Sequence, residues 1–155
     1  MGEINYNVED IVNHRGLGAV IQNGEGILMQ KHVKYGFWTI PVGKVKENSS
    51  VVEGLREEIY EECNIKVVDF VETGMIRLSY NRLGNEVIVN SYLFEISNYL
   101  GEIKNNEPEK HAEQKFLSLE KIFELEYVSD MTLFYLEKLG QTKNHDYDGR
   151  VLLIE

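Results

Sequence analysis

Apolar and polar positions follow two different periods along the chain. Leu17-Gly18-Ala19-Val20-Ile21 and Gly26-Ile27-Leu28-Met29-Gln30 are short apolar runs parted by Asn23-Gly24-Glu25, which predicts a hairpin of two strands. From Val51 the period becomes helical: at about 100° per residue, Val51, Val52, Leu55, Ile59 and Cys63 share an arc of about 120°, the face a sheet covers. Ser50 followed by Glu53 is a capping box, so this helix starts at Ser50. Lys66 to Phe70 and Met75 to Leu83 read as extended, and Gly84-Asn85 turns the chain into Glu86 to Ile96, a second hairpin. Asn105 to Lys110 is a polar loop. Ser129-Asp130 opens an amphipathic helix through Met131, Leu133, Phe134, Leu136 and Leu139 to Gly140. The residues before about Arg15 fit either a short strand or a helix. In the tail from Gln141, Val151-Leu152-Leu153-Ile154 fits either an edge strand or a homodimer contact.

Glu62 breaks the amphipathic division, because the same wheel puts it between Val51 and Leu55, with Glu58 at the edge and Glu61 farther round. Burying an unpaired carboxylate costs several kcal/mol or forces neutralisation. The spacing of Glu58, Glu61 and Glu62 also gathers three like charges on one flank. A hard divalent cation satisfies all three, and oxygen-only ligands suit magnesium, manganese or calcium. A solvated acidic face is the alternative that spacing alone leaves open.

Composition narrows the class of partner. The 155 residues, 43% hydrophobic and 27% charged, suit one globular domain spanning 1–155. A net charge of −10 argues against binding extended nucleic acid or an anionic membrane, yet allows a phosphate ligand through metal ions. One cysteine excludes an intrachain disulfide, and with no leader or membrane-length apolar run the reading is cytoplasmic. Cys63 itself lies on the apolar arc and reads as packing. Phe37 and Trp38 suit sheet packing better than base stacking, and Lys31, His32 and Lys34 fit either a solvated strand end or a phosphate-neutralising patch. His14, His111 and His145 show no convergent ligand spacing.

Gly43 to Ile65, GKVKENSSVVEGLREEIYEECNI, resembles the Nudix box: G, five residues, E, seven residues, then R-E-U-x-E-E-x-G-U with U aliphatic. The fit is ungapped, with Gly43 on the first glycine and Glu57 to Ile65 on the terminal block. Upstream, Trp38-Thr39-Ile40-Pro41-Val42-Gly43 is similar to the family's W-x-x-P-G-G entrance. Three positions depart. Ser49 replaces the first glutamate, which is peripheral to the metal cluster. Asn64 replaces the last glycine, a mild change at a left-handed helix cap. Glu57 replaces the arginine that orients the catalytic glutamates, and Arg56, one residue early, projects about 100° away. Glu57→Arg is therefore expected, on the sequence alone, to raise turnover or metal affinity.

The resemblance implies an α/β fold, the Nudix α/β/α sandwich with a mixed sheet. It also implies hydrolysis of a nucleoside diphosphate linked to another moiety, with Mg2+ or Mn2+ as cofactor. Glu58, Glu61 and Glu62 with the Gly43 carbonyl are the expected metal ligands, and Glu58 or Glu113 the expected base. Glu113 is drawn from Glu113-Gln114-Lys115-Phe116-Leu117-Ser118-Leu119-Glu120, which looks like the family's late E-x-x-[WF]-x-x-L-x-E strand, with Glu109 as a weaker substitute. The expected substrate is a small nucleotide, a nucleoside triphosphate or a diadenosine polyphosphate. For the latter class, Tyr80 sits near a tyrosine of some members. The alternative is a binding or sensor domain with relaxed catalytic demand.

Overall fold

The computed structural model describes residues 13–141 and 145–155, so the reading for the residues before Asn13 lies outside them. In chain order the elements are β1 (Asn13–Asn23), β2 (Gly26–His32), β3 (Trp38–Thr39), β4 (Val42–Val45), α1 (Val51–Cys63), β5 (Lys66–Arg82) and β6 (Asn85–Leu100). They continue with β7 (His111–Leu117), α2 (Leu119–Glu124), α3 (Asp130–Lys138) and β8 (Arg150–Ile154). Both expected hairpins form. The second turns on Leu83 and Gly84, whose φ of 52° and 82° give the primed turn that matches strand twist. The stretch expected as two extended pieces is one long strand, β5, interrupted by bulges opposite β6.

β1 organises the sheet. One edge runs parallel to β6, while the other pairs antiparallel with β4 at its start and with β2 at its end. The main path is β3-β2-β1-β6-β5-β8, with β7 on β2, so the sheet is mixed as expected. The apolar tail is an edge strand on β5.

Strand alternation splits the core into two layers. Leu17, Ala19, Ile21 and Leu28 face α1 through Leu55, Ile59 and Cys63. Val20, Ile27, Met29 and Ile40 face the other way, onto Met131, Phe134 and Leu136 of α3 and Ile122 of α2. The short α2, capped by Ser118, was not anticipated. Among the described residues no helix is long and apolar enough to cross a membrane.

Candidate active site

α1 is fixed at both ends by its own sequence. Ser50 Oγ accepts from the Glu53 amide while Glu53 Oε1 accepts from the Ser50 amide, and Asn64 closes the helix with a left-handed φ of 65°. Between these caps Leu55, Ile59 and Cys63 anchor the apolar face. Their burial turns Glu62 inward, to 1% exposure, leaves Glu58 half-buried and puts Glu61 outside. Gly43, paired with Leu17 of β1, lies under Glu58: a Cβ there would fall 2.5 Å from Glu58 Oε2. With Glu58 in this position glycine leaves it room over the strand; a larger residue would push the carboxylate aside.

The electrostatics are those of charges held out of water. Burial, with Glu61 nearby, raises Glu58 to about 7, and burial, with Glu58 and Glu107 nearby, raises Glu62 to about 8. Neither Glu62 oxygen has a hydrogen-bond partner among the described residues. Its nearest basic group is His111, with Nε2 3.4 Å from Oε1. Burial and Lys110 lower His111 to about 4, so its imidazole is neutral at ordinary pH. The buried Cys63 thiol is raised well above its usual range and serves packing.

The loop before β7 completes this arrangement. Asn106 donates its backbone amide to the Glu62 carbonyl (3.3 Å) and its side-chain amide to the Tyr60 carbonyl (3.3 Å). Asn105 accepts from the Glu107 amide (3.3 Å) and donates to the His111 carbonyl (2.9 Å). Glu107 and His111 thereby meet Glu62, all three offering ligand atoms within 4.8 Å of one another.

Two residues are placed differently from the sequence reading. His111, set aside for want of ligand spacing, converges with Glu62 in space. Glu113 does not join the cluster. It pairs across the ladder with Lys31, in the register that puts Met29 beside Lys115 and Ile27 beside Leu117, on the α2–α3 face. Its carboxylate meets Lys115 at 3.2 Å, and Lys115 lies over Trp38. Gln114, on the α1 face, instead donates to the Glu62 carbonyl (3.4 Å). A register shift between Lys31 and His32 lets His111 face α1 although Glu113, two residues on, does not. Glu109 is exposed.

A cleft of about 470 Å³ opens over the cluster, with Gly43, Glu62 and His111 in its wall. Tyr35, Phe37 and Tyr127 line its mouth. Phe37 meets Tyr127 edge-on at 5.6 Å and Tyr35 at 5.4 Å, so Phe37 belongs to the cleft rather than to sheet packing. Trp38 packs on the α2–α3 layer as expected. Lys44, Lys110 and Arg82 add positive charge. Tyr80, also in the wall, donates to Asp130, which accepts the Asp148 (2.7 Å) and Gly149 (3.0 Å) amides, so its hydroxyl is committed to the fold.

A family model described as the NUDIX domain matches residues 12–136. The chain belongs to the NUDIX family. Nudix hydrolase 5 of Arabidopsis thaliana is 29% identical over 107 residues, which are 64% of this chain and 35% of that protein. The NUDIX chain thus spans about a third of the length of that curated relative. The MutT NUDIX hydrolase of Burkholderia pseudomallei is 25% identical with a TM-score of 0.61, over 70% of this chain and 84% of that one. The MutT protein of Bacillus halodurans, 17% identical, superposes with a TM-score of 0.69 over 92% of this chain and 96% of its own. A Caenorhabditis elegans Ap4A hydrolase, 21% identical, gives 0.53 over 72% and 85%. The last two likenesses carry the fold, an α/β architecture with a mixed sheet between helical layers.

The departures in this NUDIX box have a structural counterpart. Glu57 pairs with Lys46 at 3.5 Å on the surface, facing the loop between β4 and α1. That loop is held from β1: Arg15 Nη2 donates to the carbonyls of Lys46 (3.1 Å), Glu47 (3.3 Å) and Ser49 (2.6 Å). Arg56, the near-miss in sequence, donates instead to the Val67 carbonyl.

The raised carboxylates predict a pH dependence for the metal-free NUDIX domain. Glu58 and Glu62 titrate higher in the folded chain than in the unfolded one, so between about pH 5 and about pH 8 the folded state holds protons that the unfolded state releases. Their favourable contribution is complete below the unfolded value and disappears as pH rises through the folded ones. Above about pH 6.5, where the histidines with lowered pKa are neutral in both states, the melting temperature of chelated protein should fall by roughly 5 °C or more up to about pH 8. Mg2+ should restore more at the upper end, where cation and proton compete for the same oxygens. A flat profile in thermal melts refutes this.

Proposed function

We propose that this NUDIX protein hydrolyses a phosphoanhydride in a nucleoside diphosphate linked to another moiety, with Mg2+ or Mn2+ held by Glu58, Glu61, Glu62 and the Gly43 carbonyl. The observation that carries this is Glu62: both oxygens lie buried and unpartnered, on the helix that also presents Glu58 over Gly43. A divalent cation fits such an all-acceptor set. When bound, it neutralises phosphate charge and lowers the pKa of the attacking water.

The chain's own groups divide the remaining work. Phe37 and Tyr127 offer ring faces for a base at the cleft mouth, a contact worth roughly 1–3 kcal/mol. Lys110 and Lys44 draw the phosphates inward, against the overall negative charge. Glu58, half-buried beside the other carboxylates, is placed to take a proton from water through the oxygen it does not give to the cation. Glu61 adds charge from the exposed side. We infer that the protein acts in the cytoplasm, on a nucleoside triphosphate or dinucleoside polyphosphate.

A turnover screen of nucleoside triphosphates, dinucleoside polyphosphates and nucleotide sugars, with Mg2+, Mn2+ or chelator, tests the proposal. Product is expected from at least one class, and only with metal. Binding of a panel member with no metal-stimulated product would replace the enzyme by a sensor domain.

A further inference from the structure

Two of the groups converging on Glu62 come from outside its helix. Glu107 belongs to the 105–110 loop and His111 begins β7, and one ligand atom of each lies within 4.8 Å of the other and of Glu62. The 3.4 Å between His111 Nε2 and Glu62 Oε1 is informative. Bonds of about 2.1 Å to one ion set a tetrahedral edge of about 3.4 Å. Both side chains are almost fully buried, at 1% for Glu62 and 2% for His111. Yet both Glu62 oxygens and His111 Nδ1 lack hydrogen-bond partners among the described residues. Leaving such groups unsatisfied in the interior opposes folding, and a shared cation removes the deficit at the carboxylate. The loop is built in advance to present them: Asn106 ties it to the Tyr60 and Glu62 carbonyls, and the Lys104 amide donates to the Cys63 carbonyl at 3.0 Å.

We propose that Glu62, Glu107 and His111 form a cation site of mixed nitrogen and oxygen donors that prefers a first-row transition ion, manganese, cobalt or zinc, over magnesium. The donor chemistry decides the preference. Magnesium takes oxygen ligands and keeps much of its water, whereas imidazole favours the transition series. The box residues offer oxygen alone. His111, whose Nε2 lies 3.4 Å from Glu62 Oε1, is the nitrogen that sets this arm apart. The site concerns binding and stands whether or not the protein turns over nucleotides.

Calorimetric titration of chelator-stripped protein with Mg2+, Mn2+ and Co2+, without nucleotide, tests this in the unaltered chain and in His111→Gln. Co2+ is expected to bind the unaltered chain at least about tenfold tighter than Mg2+, and His111→Gln to weaken Co2+ by about 10–100-fold and Mg2+ by less than about threefold. Pulsed electron paramagnetic resonance of the Mn2+-loaded unaltered protein needs no substitution and should show imidazole nitrogen coupling. Equal losses for both ions in the variant, an unchanged Co2+ affinity, or no nitrogen coupling would each overturn the site and leave His111 and Glu62 as a plain buried pair. Because no reading involves nucleotide, a failed turnover screen and a failed ligand set are told apart.

Discussion

Glu62→Gln should lower metal-stimulated turnover by about a hundredfold or more while leaving the metal-free protein at least as stable near pH 8. The two effects have one cause. In the folded chain the carboxylate is out of water and lacks a hydrogen-bond partner, so ionising it opposes folding unless a cation is bound. An amide of the same shape removes the charge and with it both the metal affinity and the penalty. Glu61→Gln, on the exposed side of the same helix, should also depress turnover, without the gain in stability. Initial rates with saturating nucleotide and Mg2+, beside thermal melts of chelated protein at about pH 5 and about pH 8, read both quantities. Retained turnover in Glu62→Gln would remove this carboxylate from the metal set, and a melting temperature lowered equally at both pH values would make its role structural.

What the sequence made legible is what local chemistry decides. The capping box, the Asn64 cap and the position of Glu62 in the apolar arc all follow from a helical wheel and a few side-chain preferences, and each stands in the structure. The mixed sheet came through resemblance, and the strand order only from the structure, because periodicity cannot tell which strands pair. The rest of the site depends on contacts between distant segments. Glu113 came from the late-strand pattern and His111 was set aside for want of ligand spacing; regular alternation would point both the same way, and only the register shift opposite Lys31 and His32 separates them. Glu107 carries no periodic signal. The loop around it is set by hydrogen bonds to the end of α1, some forty residues earlier. A weak sequence signal existed: Asn105 and Asn106 are side-chain types that bind backbone groups, next to a glutamate and just before a histidine. Phe37 and Tyr127 meet across 90 residues, so their cleft was equally invisible.

Arg15→Ala should reduce kcat by about tenfold or more with a smaller change in KM, and Glu57→Arg in the same chain should recover much of the loss. By itself, Glu57→Arg should alter turnover by less than about threefold, contrary to what the box pattern alone suggests. The reason is positional. The 46–49 loop joins β4, which carries Gly43, to the cap of α1, which carries Glu58, so its shape sets how the carboxylate lies over the strand. One guanidinium from β1 binds three carbonyls of that loop, and the backbone of Arg15 is itself registered against Val45. The loop is already held in a chain that lacks the box arginine. Position 57 faces the same loop, as the Glu57–Lys46 pair shows, so an arginine placed there is redundant beside Arg15 and useful without it. A double-mutant cycle on kcat and on Mg2+ affinity measures the coupling. Strictly additive effects would mean that the two positions do not serve the same loop, and a loss in Arg15→Ala confined to melting temperature would reduce Arg15 to a stabilising contact.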